Sequence, residues 1–159
     1  MRIGILTVSD LGAQGRREDT SGDTIAAWAS QRGYDVMVRS VVPDETNLIV
    51  SKLTRWADSG EVDVVLTTGG TGLAERDVTP EATSAAVERH VPGIAEALRA
   101  RGARGFPRAW LSRGLAGIRG RTLIINLAGS VNAVKDALPV LDDVLEHAVV
   151  ILRGDPSGH

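Results

Sequence analysis

"VDVVLTTGGTGLAERDVTP", residues 62–80, decides how this chain is read. Its first half is an apolar run without polar alternation, as expected of a strand buried on both faces by helices flanking a parallel sheet. Its last two residues, Thr79-Pro80, read as a helix cap followed by a residue pre-set for the first turn. A connection that only turns the chain needs about 2–6 residues and one or two glycines. This one holds Gly69, Gly70 and Gly72, which permit positive φ and leave backbone N–H groups uncovered, the chemistry of an anion nest. No Gly-Lys-Ser/Thr follows, so it is not a P-loop. Nor is the spacing G-x-G-x-x-G, so a nicotinamide dinucleotide is unsupported.

Working outward, "RIGILTV" (2–8) is a buried strand by length and aliphatic content. A polar loop (9–23) leads to a helix with Ile25, Trp28 and Ala29 on one face and Gly33 as its stop. "DVMVRSVV" (35–42) reads as a strand. From Asp44, the set Leu48, Ile49, Leu53, Trp56 and Ala57 keeps helical period until Gly60. Beyond the quoted stretch, helices are predicted from Thr79 to about His90 and from Pro92 to about Gly102. "LAGIRGRTLIINL" (115–127) reads as a short strand, an Arg-Gly turn and a central strand. Helices over 131–138 and 140–152 follow, with Pro139 separating or kinking them. Strands alternating with helices predict a three-layer α/β/α single domain with a mostly parallel sheet, spanning 1–154. Residues 155–159 are expected to form a loose tail.

Hydrophobic residues make up 43% of the 159 and charged residues 24%, the balance of a globular domain. Cysteine is absent. That removes disulfides, thiolate metal sites and cysteine nucleophiles, and fits a reducing compartment. The first apolar run is too short for a signal-peptide core, and no run approaches the ~20 residues of a membrane span. The expectation is a cytoplasmic protein with no membrane partner. Net charge is −2 but unevenly spread: Arg99, Arg101, Arg104, Arg108, Arg113, Arg119, Arg121 and Lys135 share residues 97–135 with no acid. This block is a solvated face or subunit contact, or it attracts a polyanionic ligand. Nucleic acid is not expected, because single-strand platforms interleave aromatics with the cations.

In open α/β sheets, ligands bind beyond the carboxyl ends of the strands. Three loops rich in Gly, Ser or Thr fall there: 9–22, 69–79 and 128–131. Asp77 is placed to cap the next helix or close an Asx-turn. Asp44 is placed as the N-cap of the helix that follows it. As a pair at strand ends, the two could instead hold a hard cation with waters and ligand phosphates. Asp10 and Asp19 are further candidates. Gly129 and Ser130 stand at a helix N-terminus, where Ser130 caps the helix or a phosphate takes the same N–H groups. His90, His147 and His159 show no ligand spacing. With no Ser-His-Asp arrangement, phosphoryl or nucleotidyl transfer fits, because it rests on positioning, a metal and fixed dipoles.

The motifs "TVSD" (7–10), "DTSGD" (19–23), "VPDE" (42–45), "TTGGTGLAERDVTPEAT" (67–83), "PGIAEALR" (92–99) and "LSRGLAGIRGRTLIINLAGS" (111–130) resemble the molybdopterin adenylyltransferase family of molybdenum-cofactor biosynthesis. Relatives there include the MogA and MoaB proteins and the G domain of gephyrin. The resemblance implies that the terminal phosphate of molybdopterin attacks the α-phosphate of Mg-ATP, giving adenylylated molybdopterin and pyrophosphate. The alternative within the family is a non-catalytic molybdopterin-binding or oligomeric scaffold. Asp44 and Asp77 match the family's functional acids, with Mg²⁺ coordination and ATP phosphate positioning implied for both. Gly69, Gly70, Thr71 and Gly72 match its ligand-binding loop. Ser9, Asp10, Glu81, Gly129 and Ser130 match positions around the same pocket. Trimers or hexamers are implied as well, with other proteins of the pathway as possible partners. The family commonly reads "NLPGSP" where this chain has Ala128 and Val131 in place of the prolines. Each such loss loosens a loop by about 0.4–1 kcal/mol through unfolded-state entropy.

Overall fold

The computed structural model describes residues 1–154, so the tail expected over 155–159, with His159, lies outside the described residues. The strands are β1 (Arg2–Val8), β2 (Asp35–Val42), β3 (Val64–Thr68), β4 (Arg89–His90), β5 (Ala116–Arg119) and β6 (Thr122–Leu127). They form one sheet in the order β2-β1-β3-β6-β5-β4. The first four in that order run parallel; at one edge β5 pairs antiparallel with β6 and β4 antiparallel with β5, so β5 alone runs against the rest.

Alternation along the interior strands builds the three layers. Ile3, Ile5, Val64, Leu66, Leu123 and Ile125 point to one face, where α2 (Thr20–Gln31), α5 (Pro92–Ala103) and α6 (Val131–Arg153) pack. Leu6, Val8, Val65 and Ile124 point to the other, under α3 (Thr46–Asp58) and α4 (Thr79–Ala86). The three-layer α/β/α reading therefore holds. The loop after β1 also contains a short helix, α1 (Asp10–Ala13), which was not expected.

Four boundaries differ from expectation. Residues 131–153 form one helix with Pro139 inside it, not two helices. The buried stripe Val134, Ala137, Leu141, Leu145 and Val149 runs past the proline, and this packing outweighs one missing hydrogen bond. The helix from Thr79 stops at Ala86, short of His90. There the chain turns extended, and Arg89 and His90 pair with β5 opposite Ile118 and Gly117. Gly117 makes that pairing possible, since a Cβ on it would lie 2.8 Å from the Arg89 carbonyl oxygen. Thr79 is the first helical residue, with Val78 at the N-cap position. Asp44 does not cap α3 either: Glu45 stands at that position and makes no side-chain cap bond.

At the amino ends of the strands, one buried carboxylate gathers two arginines. Asp63, 4% exposed, accepts from the backbone N–H of Arg2 at 2.7 Å, from Arg2 Nη2 at 2.9 Å and from Arg153 Nη2 at 2.5 Å. Burial would raise its pKa, but the hydrogen bonds from both arginines overcome this and hold it well below the usual carboxylate range. A carboxylate with a depressed folded pKa contributes stability above its unfolded value that is lost as pH falls. Asp63→Asn is therefore expected to destabilise the fold by about 2–4 kcal/mol at neutral pH. The deficit relative to the parent should shrink below about pH 4, where the Asp63 carboxylate of the unfolded chain begins to protonate while that of the folded protein stays ionised. Urea melts at pH 7 and pH 3 check this, and an equal deficit at both would contradict it.

Candidate active site

The site lies at the carboxyl ends of β1, β3 and β6. Its central wall is the 69–72 loop, anchored from below by buried hydroxyls. Thr68 donates to the Ala128 carbonyl at 2.9 Å, and Thr79 donates to the Gly69 carbonyl at 2.9 Å. Asn126 donates to the hydroxyls of Thr67 and Thr83 at 3.0 and 2.9 Å, and its oxygen accepts from the Leu115 N–H. Thr67, Thr68, Thr79 and Thr83 are all fully buried. The threonines of the quoted stretch thus supply partners for loop groups that water cannot reach.

The glycines leave room for acids. Gly69 (φ +98°) and Gly70 (φ +66°) occupy left-handed backbone that disfavours other residues. A Cβ on Gly70 would lie 2.3 Å from the Thr79 hydroxyl and 3.1 Å from Asp44 Oδ1. A Cβ on Gly72 would lie 2.7 Å from Asp77 Oδ2. Both acidic side chains therefore rest directly on the glycine loop.

Two cavities meet at this wall. The smaller, about 390 Å³, is lined by Ser9, Asp44, Gly69, Gly70, Asp77, Gly129 and Ser130 together with Thr7, Asp19, Thr20 and Ser21. The larger, about 730 Å³, lies between α5, the 3₁₀ turn Pro107–Leu111 and the start of α6. Thr71, Gly72, Arg99, Arg108 and Lys135 line it beside apolar side chains, and Ser130 lines both cavities. The N-termini of α2 and α6 converge on the smaller cavity, so their first N–H groups add positive potential there.

Asp44 and Asp10 exchange hydrogen bonds. The Asp10 N–H donates to Asp44 Oδ2 at 2.9 Å, and the Asp44 N–H donates to Asp10 Oδ1 at 3.0 Å. Burial pushes the Asp44 carboxyl up from its ordinary pKa. The Asp10 N–H offsets part of that rise, and the charges of Asp10 and Asp77 add to it. Asp77 accepts from the N–H of Ala74, three residues before it, at 3.1 Å and so ties the loop back on itself. It neither caps the next helix, where Val78 stands at the N-cap, nor closes an Asx-turn, which would take the N–H two residues further on. Ser130 accepts from the Ala133 N–H at 3.1 Å and caps α6 without either family proline. Asp19 accepts from the Gly22 N–H, the Thr7 hydroxyl and Arg39, so it is an N-cap at the cavity floor.

Two residues expected around the pocket are engaged elsewhere. Asp10 lines neither cavity: Arg76 donates to it from Nε at 2.6 Å and from Nη2 at 2.8 Å, holding its carboxyl below the usual range. Glu81 also lines neither cavity and pairs with Arg113, which lowers its pKa. Arg113 donates in addition to the Gly72 carbonyl at 2.8 Å and the Asp77 carbonyl at 2.5 Å, clamping the loop from behind. The sequence grouped Arg113 with seven other cations of the basic block. Nothing in its local setting separates it from them, because its carbonyl partners lie about 40 residues away.

Residues 4–147 match the model of a family described as "Probable molybdopterin binding domain". The molybdopterin adenylyltransferase of Helicobacter pylori is 36% identical over 157 residues, covering 98% of this chain and 89% of that protein. The Drosophila melanogaster molybdenum cofactor synthesis protein cinnamon is 41% identical over 156 residues, and there this chain spans 26% of the longer protein. Among solved structures, the molybdopterin biosynthesis enzyme MoaB of Thermus thermophilus superposes with a TM-score of 0.90 at 48% identity, covering 98% of both chains. On the family match and on relatives that align end to end, this chain belongs to the family of molybdopterin-binding domains.

Proposed function

We propose that this chain is a molybdopterin adenylyltransferase, acting as one domain over residues 1–154. An oxygen of the terminal phosphate of molybdopterin attacks the α-phosphorus of ATP. A new P–O bond forms, the bond to the leaving pyrophosphate breaks, and adenylylated molybdopterin results. The carrying observation is the pair of cavities on either side of one glycine loop, with Asp44 and Asp77 in the polar one. Such an arrangement lets two ligands meet at a shared wall, which converts a bimolecular reaction into one of positioning.

The polar cavity suits phosphates, with glycine N–H groups and two helix N-termini offering fixed dipoles that need no reorganisation. The larger, more apolar cavity suits a ring system. Two carboxylates fit a hard cation that keeps most of its waters, and the raised pKa of Asp44 marks a charge that a cation would relieve. Asp44 and Asp77 would hold Mg²⁺, which when bound neutralises charge on the nucleotide phosphates. Arg113 and the buried threonines keep the loop in place, and Ser130 fixes the start of α6 between the cavities.

A homo-oligomer, trimer or hexamer, working in the cytoplasm completes the reading. The exposed side chains of Leu73, Phe106, Trp110 and Leu111 support the first part and the lack of cysteine the second. Mass spectrometry of a mixture of the protein, ATP, Mg²⁺ and molybdopterin tests the activity. Adenylylated pterin is expected from the parent and is expected to be lost in Asp77→Asn. A folded parent that binds the pterin and forms no adduct would replace the enzyme with a non-catalytic carrier.

A further inference from the structure

Arg76 is 61% exposed and lines neither cavity, yet it reaches across from the loop after β3 to the loop after β1. Its guanidinium takes both oxygens of Asp10 in a fork, at 2.6 and 2.8 Å. Asp10 in turn holds Asp44 on two sides, with its N–H on the Asp44 carboxylate and its carboxylate on the Asp44 N–H. One chain of bonds thus runs from the third loop through the first to the second. Arg76 also directly precedes Asp77, so the fork that fixes Asp10 fixes the backbone delivering the other acid.

We infer that Arg76 is a positioning residue for the reaction, acting through Asp10 to set Asp44 and Asp77 relative to one another. The inference rests on the proposed adenylyl transfer for its kinetic consequence, but its geometric core does not. Global stability is not the reason for the pair: so exposed an ion pair contributes little to folding. Its geometry is nonetheless specific, because a bidentate fork fixes both partners in orientation, which a lysine cannot do. The fork also gives the Asp10 charge a partner. Without it, a free carboxylate would stand against Asp44, whose own charge is already disfavoured by burial and by neighbouring acids.

The test combines kinetics with amide exchange on the full chain. Arg76→Ala is expected to lower kcat about 10–100-fold, the scale of a misplacement of about 1 Å at a reacting centre. KM for ATP and for molybdopterin should stay within about threefold, because Arg76 touches neither cavity. Arg76→Lys should recover part of kcat. The double variant Asp10→Ala/Arg76→Ala should be no slower than Asp10→Ala alone, as expected of two residues acting in series. Independently of activity, hydrogen exchange at the Asp10 and Asp44 amides should accelerate at least about tenfold in Arg76→Ala, with the amides of β3 and β6 unchanged. A raised KM with kcat preserved would make Arg76 a substrate contact and overturn the inference. So would additive losses in the double variant, or unchanged exchange at both amides. If the parent forms no product, the proposed function fails, and the exchange measurement alone upholds or overturns the coupling.

Discussion

Asp44→Asn is expected to lower adenylyl transfer by at least about 10²–10³-fold, the scale of removing one preorganised electrostatic group, and at the same time to raise the melting temperature of the ligand-free protein. The two effects share a cause. Asp44 is held between burial and two neighbouring acids, so its ionised form is disfavoured in the folded state. A carboxylate whose folded pKa lies above its unfolded value weighs against the fold at every pH above that folded pKa, and the penalty fades as pH falls through it. Asparagine is neutral throughout and still offers an oxygen to the Asp10 N–H, so the penalty disappears while the hydrogen bond remains. The gain in melting temperature should therefore be present at pH 7 and diminish toward pH 4. Calorimetry at both values, alongside the product assay, checks the pair of effects. A lower melting temperature at pH 7, or turnover like the parent's, would remove Asp44 from the role given to it.

Gly69→Ala is expected to be the most damaging small substitution in the loop. Its φ of +98° lies outside the region an L residue adopts readily. The added methyl would stand 2.2 Å from the Val8 carbonyl oxygen, a backbone atom of an interior strand that cannot swing aside. Strain of about 1–3 kcal/mol for the conformation and a similar amount for overpacking give a loss of about 2–6 kcal/mol. At about 2–4 °C per kcal/mol, this corresponds to a fall of about 4–24 °C in Tm. The Thr79 bond to the Gly69 carbonyl would be displaced with it, so ligand binding should fall even in the fraction that folds. A melt within about 2 °C of the parent would show that the loop relaxes freely, contrary to the anchoring described above. Gly72→Ala makes a useful contrast, since its methyl would meet only the tip of Asp77.

The strands and layers were legible because their signals are local and repeated. "VDVVLTT" carries its two-sided burial in its own composition, and Ile25, Trp28 and Ala29 carry their helix face in their spacing. Boundaries failed where a distant partner overrode a local preference. Asp44 is well suited to cap α3, but the Asp10 N–H competes for its carboxylate from another loop. "VERH" continues a helical pattern, yet β5 offers its main chain hydrogen bonds that solvent at a helix end cannot match. Pro139 is a reliable breaker in isolation, but the stripe on either side of it is buried by the same face of the sheet. At the site, the glycines and the paired acids stood out as a pattern, and the structure brings them together in one cavity wall. The arginines did not stand out. Charge in a sequence says nothing about which guanidinium meets a carbonyl 41 residues away and which faces water.

The Asp63 cluster has a further meaning for the architecture of longer proteins. Arg2 opens β1 and Arg153 closes α6, and both end on one carboxylate at the amino ends of the strands, across the sheet from the ligand cavities. The first strand and the last described helix are thus fastened at one point, like a loop of string tied at a single knot. The fastening therefore leaves the cavity end of the sheet unobstructed. A unit with adjoining ends can be carried within a larger chain without unthreading its sheet, and in cinnamon the matching region is 26% of the protein.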